Sequence, residues 1–554
     1  MTNKEIAEFF LELASTLETE GDNPYRIRAY RRAAREIAYQ PRQLDELVAE
    51  NADLTAIPHI GKAIADNIKE LIRNGKLSKR KTAKPFKKAG DELKYIKWLG
   101  PKRIKILRDN LNITTKSALI EAMAAGTLLA LPGFSEKIIN KIVMHLHEPK
   151  RVLHKLKLYH AISIVEKLLQ TIRQVQGVKR AEAVGDYRRR VELVSDIGII
   201  LELENQDILK QILEIDAIKS ILTATNNCTT VILHSGLQIK LYYVQASDYG
   251  ANLFYLTGSA AHIEELEKIN HHKAFKGTTE TEIYKSLKMD YVAPELRENR
   301  GEVLAARQNK LPKLINLDDI KGDLHCHTWE TDGTESLEMM VKSAMAKGYE
   351  YVAITDHSKR LAITNGLDEK RLLEQIKLID QLNEKLTNFT VLKAIEVDIL
   401  EDGSLDISND VLKELDLCVC SIHSKFKLPE KQQTERIIRA MDNPYFTILG
   451  HATGRLLNFR EPYQINIERI LNAAKERHCF IELNAQPARL DIHDNYCLLA
   501  KQLGVKLAIS SDAHSSRELN FMQLGIYQAR RGWLEAQDVI NTRSLKDFIQ
   551  LIKR

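Results

Sequence analysis

With 554 residues, 44% of them hydrophobic and 28% charged, the chain is longer than one core usually organises, is not disordered in composition, and has no apolar run long enough to span a membrane. Six cysteines, at 228, 326, 418, 420, 479 and 497, lack both the density of a secreted scaffold and the paired spacing of a zinc ribbon. The net charge of +6 is modest, yet residues 62–108 hold sixteen Lys/Arg against four Asp/Glu, so either an anionic partner or a solvated basic face is expected there. The opening MTNKEIAEFFLELAS is amphipathic and acid-bearing, unlike a basic apolar leader, which predicts a cytoplasmic protein.

Three segments then repeat one pattern of apolar turn, glycine and helix: LTAIPHIGKAIADNIKELI from Leu54, YIKWLGPKRIKILRDNL from Tyr95 and LLALPGFSEKIINKIVMHL from Leu128. Each resembles a helix-hairpin-helix, whose glycine turn brings backbone N–H groups at a helix start close to a phosphate. Gly61, Lys62, Gly100, Lys102, Arg103 and Gly133 are the candidate contacts; the alternative is that the glycines merely connect helices. Repetition beside the basic run favours binding of a nucleic-acid backbone without readout of its sequence.

Residues 1–85, with NPYRIRAYRRAAREI from Asn23 to Ile37, resemble the N-terminal helical domain of the DNA polymerase β group, and 86–150 carry the further hairpins. In lyase-active members of that group a lysine after the first hairpin forms a Schiff base. Aligned on IGKAIADNI, that position is Asn67, whose amide is not a nucleophile, while Lys62 and Lys69 are displaced from it. No lyase activity is expected.

Residues 151–307 alternate strands and helices in an α+β pattern. AVGDYRRRVELVSDIGII (Ala183 to Ile200), NLFYLTGSAAH (Asn252 to His262) and DYVAPELRENRGE (Asp290 to Glu302) resemble the palm and thumb of family X polymerases. Members of that family read Gly-Ser for the triphosphate, Asp-x-Asp on a strand, and a third Asp on a later strand. Here Gly185 is followed by Asp186, Asp196 by Gly198 at the second acid, and Lys240 stands at the third; Thr257, Gly258 and Ser259 remain as vestigial contacts. Two Mg²⁺ ions need several carboxylates to offset their repulsion, so Mg²⁺ at this palm is doubtful and templated synthesis is expected to be lost.

After a linker at 308–317, apolar runs end repeatedly in potential ligands: KGDLHCHTWETDG, YVAITDHS, VLKAIEVDIL, LCVCSIHSKF, FTILGHATGRLL and VKLAISSDAHSS. A strand turns alternate side chains to one face, so His325 and His327 point together and Cys326 away. With Asp332, His357, Glu396, His423, His451, Asp512 and His514 they make nine ligands, a set that suits about three divalent ions of the Zn²⁺, Mn²⁺ or Fe²⁺ type. Lys425, Arg455 and Arg489 lie in adjoining loops, either as phosphate-orienting cations or as solvated ones, and Asp398 follows Glu396 by two.

Residues 318–554 resemble the PHP phosphoesterase domain, a distorted (β/α)7 barrel attached to many bacterial family X polymerases. The resemblance implies one site from His325, His327, Glu396 and Asp512, a second from Glu396, His423 and His451, and a third from Asp332, His357 and His514. The expectation is a multidomain, monomeric repair protein with an all-α hairpin region, an α+β palm and an α/β barrel. It acts as a 3′–5′ exonuclease, with 3′-end processing or abasic-site cleavage as further activities, on gapped, nicked or single-stranded DNA, away from membranes and alongside other repair proteins. A bifunctional polymerase/exonuclease and a non-catalytic DNA-binding scaffold are the alternatives.

Overall fold

The computed structural model describes residues 3–19, 24–38, 40, 43–57, 60–74, 99, 101–111, 113, 118–119, 122–123, 127–135, 138–139, 142, 155–361 and 364–553. They fall into two compact units, one of residues 1–38 and 43–155, the other essentially Leu156–Arg554. The expected boundaries at 85/86 and 150/151 lie outside the described residues.

In the first unit, helix α1 (Asn3–Thr19) packs on α2 (Pro24–Ala38) because apolar residues recur every three or four positions. Ile6, Phe10, Ala14 and Leu17 meet Ile27, Tyr30, Ala34 and Ile37, and α3 (Leu44–Ala49) and α4 (Lys62–Asn74) add Val48, Ile64, Ile68 and Leu71. A separate cluster of Ile104, Leu107, Ile113, Leu119, Leu128 and Phe134 surrounds α5 (Pro101–Leu111).

The second unit begins with α6 (Leu158–Gln174) covering a five-stranded sheet. Its strands are β1 (Val178–Gly185), β2 (Ile197–Leu203), β3 (Ile218–Ala224), β4 (Cys228–Leu233) and β5 (Gln238–Tyr243), in the order β1-β2-β5-β4-β3. Only β2 and β5 run parallel, and their register sets Gly198 opposite Lys240. The core of α6 and this sheet continues into Leu457, Leu490 and Leu524 of the following barrel.

That barrel has seven parallel strands in sequential order: β6 (Gly322–Cys326), β7 (Tyr351–Ile354), β8 (Thr390–Asp398), β9 (Leu417–Ser421), β10 (Ile448–Leu449), β11 (Phe480–Asn484) and β12 (Leu507–Ser510). A Cys326–Ala513 bridge nearly closes it. The strands read as near-continuous apolar runs because both faces are covered. Residues 308–317 are not a free tether: the Ile315 N–H donates to the Leu534 carbonyl at 3.0 Å, the Lys313 N–H donates to Glu535 at 3.1 Å, and Ile315 is fully buried. Among the described residues no helix is long and apolar enough to cross a membrane, and all six cysteines are free thiols.

Candidate metal centre

Parallel strands send their C-terminal ends to one rim, and the polar residues of the barrel gather there. His325 lies on β6 with His327 just beyond it; Glu396 and Asp398 end β8; His423, His451 and Asp512 each follow the last residue of β9, β10 or β12 by two. Cys326 faces the apolar side, as the alternation of a strand requires, while the His325 and His327 rings lie 5.1 Å apart.

All nine sequence-predicted ligands come together. His325 Nε2 and His327 Nε2 lie 3.8 and 3.2 Å from Asp512 Oδ1, and 3.5 and 3.7 Å from Glu396 Oε2. The other oxygen of Glu396 is 3.3 Å from His423 Nε2 and 2.9 Å from His451 Nε2. Asp332 Oδ1 is 3.4 Å from both His357 Nε2 and His514 Nε2. His357 also presents Nδ1 to Glu396 at 2.7 Å, a link between groupings that the motif spacing did not indicate.

Such separations are what ligands about 2.0–2.2 Å from a shared cation require. The buried Nε2 atoms of His325 and His327 have no hydrogen-bond partner, which is costly unless something else accepts their lone pairs. The donor set therefore fits divalent metal. Burial, with the neighbouring His514 and His357 charges, brings His327 down to about 4, so its ring is neutral and its lone pair free for ligation. Burial pushes the Asp512 carboxyl up, but His325, His327 and His514 overcome this and hold it well below the usual carboxylate range. Glu396 is held down against its burial by His357, His423 and His325.

The surrounding shell contains residues that motif reading missed. Glu482 on β11 is fully buried, takes His325 Nδ1 at 2.6 Å and accepts the His451 N–H at 2.6 Å. Asn484 donates to both Glu482 and Asp512. Their signal was an acid and an amide alternating within the apolar FIELN. Asp398 sits 3.4 Å from His423 Nδ1. Carboxylates behind imidazoles fix ring orientation.

The three candidate phosphate cations separate. Arg489 Nε lies 3.7 Å from Asp512 Oδ2, facing the cluster. Lys425 is half-exposed and paired with Glu401 at 3.1 Å. Arg455 does not serve the rim: it is buried, and both its terminal nitrogens bind Glu192 of the palm sheet region, at 2.9 and 2.5 Å.

In the palm, Gly185, Asp186, Asp196, Gly258 and Ser259 line one cleft of about 540 Å³, while Gly198, Lys240 and Thr257 lie outside its lining. Asp196 is 3.3 Å from Lys240 Nζ, so a cation occupies the place of the third acid. A Cβ at Gly198 would lie 2.7 Å from both the Tyr242 ring and Val184, so the second acid's space is filled. Asp186 accepts from Ser195 N–H and Oγ and pairs with Arg189 at 2.7 Å. Thr257 is buried and accepts from Arg188, Ser259 caps the Ala260–Ile269 helix, and Gly258 abuts Ile263. Glu264 and Glu267 join Asp186, Asp196 and Arg189 on the cleft wall.

In the first unit, Gly61 and Lys62 are exposed at the start of α4, and the Arg103 Nε–H donates to the Gly133 carbonyl at 2.7 Å, where Gly133 has φ +88°. Gly100 and the Lys102 side chain lie outside the described residues. Asn67 donates to Tyr30 Oη at 2.8 Å. With an amide tied there, borohydride is expected to trap little or no deoxyribose-phosphate adduct through this domain; robust trapping abolished by Lys62→Ala would contradict the assignment.

Residues 1–77 match the helix-hairpin-helix domain family, 91–148 the SAM-like helix-hairpin-helix tandem, and 323–486 the PHP domain. The chain is 33% identical, over the full length of both, to the DNA polymerase/3′-5′ exonuclease PolX of Bacillus subtilis strain 168. The chain belongs to the PolX family. Its PolX character accounts for the order of hairpins, palm and barrel and identifies it as an enzyme. Probable phosphatases of Thermoanaerobacter sp. strain X514 (31% identical) and Acetivibrio thermocellus (28%) each match 42% of this chain over 95% of their own length. Seven of the nine clustered residues fall inside the PHP match; β12 brings in Asp512 and His514 from beyond it.

Proposed function

We propose that this PolX protein is a DNA-binding, metal-dependent phosphodiesterase that removes nucleotides in the 3′–5′ direction during repair, on a palm that no longer polymerises. The observation that carries the reading is the convergence of nine histidines and carboxylates at one barrel rim, beside a palm in which Gly198 and Lys240 stand where two of the three family acids are expected. His325, His327, Glu396 and Asp512 hold one ion, Glu396, His423 and His451 a second, and Asp332, His357 and His514 a third, of the Mn²⁺, Zn²⁺ or Fe²⁺ type. Ions held there supply Lewis acidity and lower the pKa of water at the site.

The chain's own groups do the rest. Glu482 and Asp398 orient the rings, and Arg489 orients a phosphate oxygen beside Asp512. Gapped, nicked or single-stranded DNA ends are the substrates, held through phosphates by the hairpin region. Removing residues 1–150 is expected to weaken DNA binding and flatten its salt dependence by about 0.9 in log–log slope for each phosphate that the protein no longer neutralises. Hydrolysis of bis(p-nitrophenyl) phosphate should persist in the shortened protein. An unchanged salt slope would leave the basic run as a solvated face.

A further inference from the structure

The palm sheet region and the barrel meet through a partly buried acid. Glu192, 13% exposed at its side chain, accepts from both terminal nitrogens of Arg455 and from Gln528 Nε2 at 3.0 Å. Arg455 Nη2 also donates to the Leu490 carbonyl. Leu490 is buried at φ +41° and packs with Leu457 into the palm core. The Leu457 N–H donates to the Ala488 carbonyl at 2.8 Å, so the loop from 486 to 491 is tied at two places to Arg455 and Leu457, the barrel residues that meet the palm. Its other end is fixed by Asn484, whose N–H donates to the Asp491 carbonyl at 2.5 Å and whose amide reaches Asp512 at 3.0 Å. Arg489, between these anchors, points its Nε toward Asp512.

We infer that Glu192, a palm residue, is a positioning residue of the barrel's hydrolytic site, acting through Arg455 and the Leu490 carbonyl to aim Arg489. The inference rests on the phosphodiesterase reading above. It gives the palm a present use: with Asp196 alone of the three expected acids, it forms the wall against which the barrel's phosphate-orienting loop is set. An arginine left buried without its acid must find another partner or leave, and either change displaces the Leu490 carbonyl it holds. Misplacing an orienting group by about an ångström costs up to about a hundredfold in rate.

The test is a double-mutant cycle in the full-length protein, with bis(p-nitrophenyl) phosphate and saturating Mn²⁺, so that DNA binding plays no part. Glu192→Ala and Arg489→Ala are each expected to lower kcat/KM about tenfold, and the double variant to lose no more than the worse single one, because both remove the same oriented cation. Glu192→Gln, which still accepts a hydrogen bond from Arg455, should recover most of the activity, and bound metal should be unchanged in all variants. If Glu192→Ala does not fold, Glu192→Asp carries the same cycle with a smaller first loss. A folded Glu192→Ala variant with wild-type kcat/KM, or losses that multiply in the double variant, overturns the inference. A wild-type protein that hydrolyses neither this ester nor DNA overturns the phosphodiesterase reading itself.

Discussion

Alanine at His327 or Asp512 is expected to lower cleavage of both DNA and bis(p-nitrophenyl) phosphate by at least about a hundredfold. His327 lies within 3.8 Å of Asp512, Asp332 and Glu396, and Asp512 faces both His325 and His327. Either change removes one of the donor groups that the proposed metal site needs. Elemental analysis should find less bound metal in both variants. Affinity for DNA should survive, because the hairpin region is a separate compact unit. Cleavage at the wild-type rate by either variant would place the active site elsewhere.

The palm yields the second large effect. With the barrel disabled by His327→Ala, so that degradation cannot mask synthesis, the protein is expected not to extend a primer at a one-nucleotide gap. Restoring acids is harder than the motif comparison alone suggests. Lys240→Asp puts a carboxylate beside Asp196, but Gly198→Asp drives its Cβ into the Tyr242 ring and Val184, an overpacking that costs about 1–3 kcal/mol. Gly198→Asp with Lys240→Asp and Asp186→Ser is therefore expected to stay inactive unless Tyr242 is also made smaller. Efficient extension by the barrel-disabled protein with its native palm would show that other acids bind the metals.

The clustering of these side chains was legible in sequence because most of them lie on or just beyond the ends of apolar strands, and parallel strands carry such positions to one rim however far apart they lie in the chain; Asp332 is brought in by the loop after β6. In the palm, the β2–β5 register places Lys240 opposite Gly198 and Lys240 pairs with Asp196, the neighbourhood that the motif alignment expected. Loop cations were not legible. Arg455 and Arg489 look alike in sequence, yet one is buried against Glu192 and the other faces Asp512, a distinction made by tertiary partners that leave no local pattern. Glu482 escaped because its only signal, the alternation with Asn484 inside the apolar FIELN, does not say which histidine the buried acid meets. Residues 308–317 were expected to be a linker, but Ile315 pairs with Leu534 and is buried.

The most direct measurement is digestion of 3′- and 5′-end-labelled gapped and single-stranded DNA by the wild-type protein with Mn²⁺, with and without dNTPs, and with a chelator as control. A chelator-sensitive ladder that shortens from the 3′ end, unchanged by dNTPs and without any product longer than the primer, is the predicted result. Extended primers without metal-dependent shortening would contradict it.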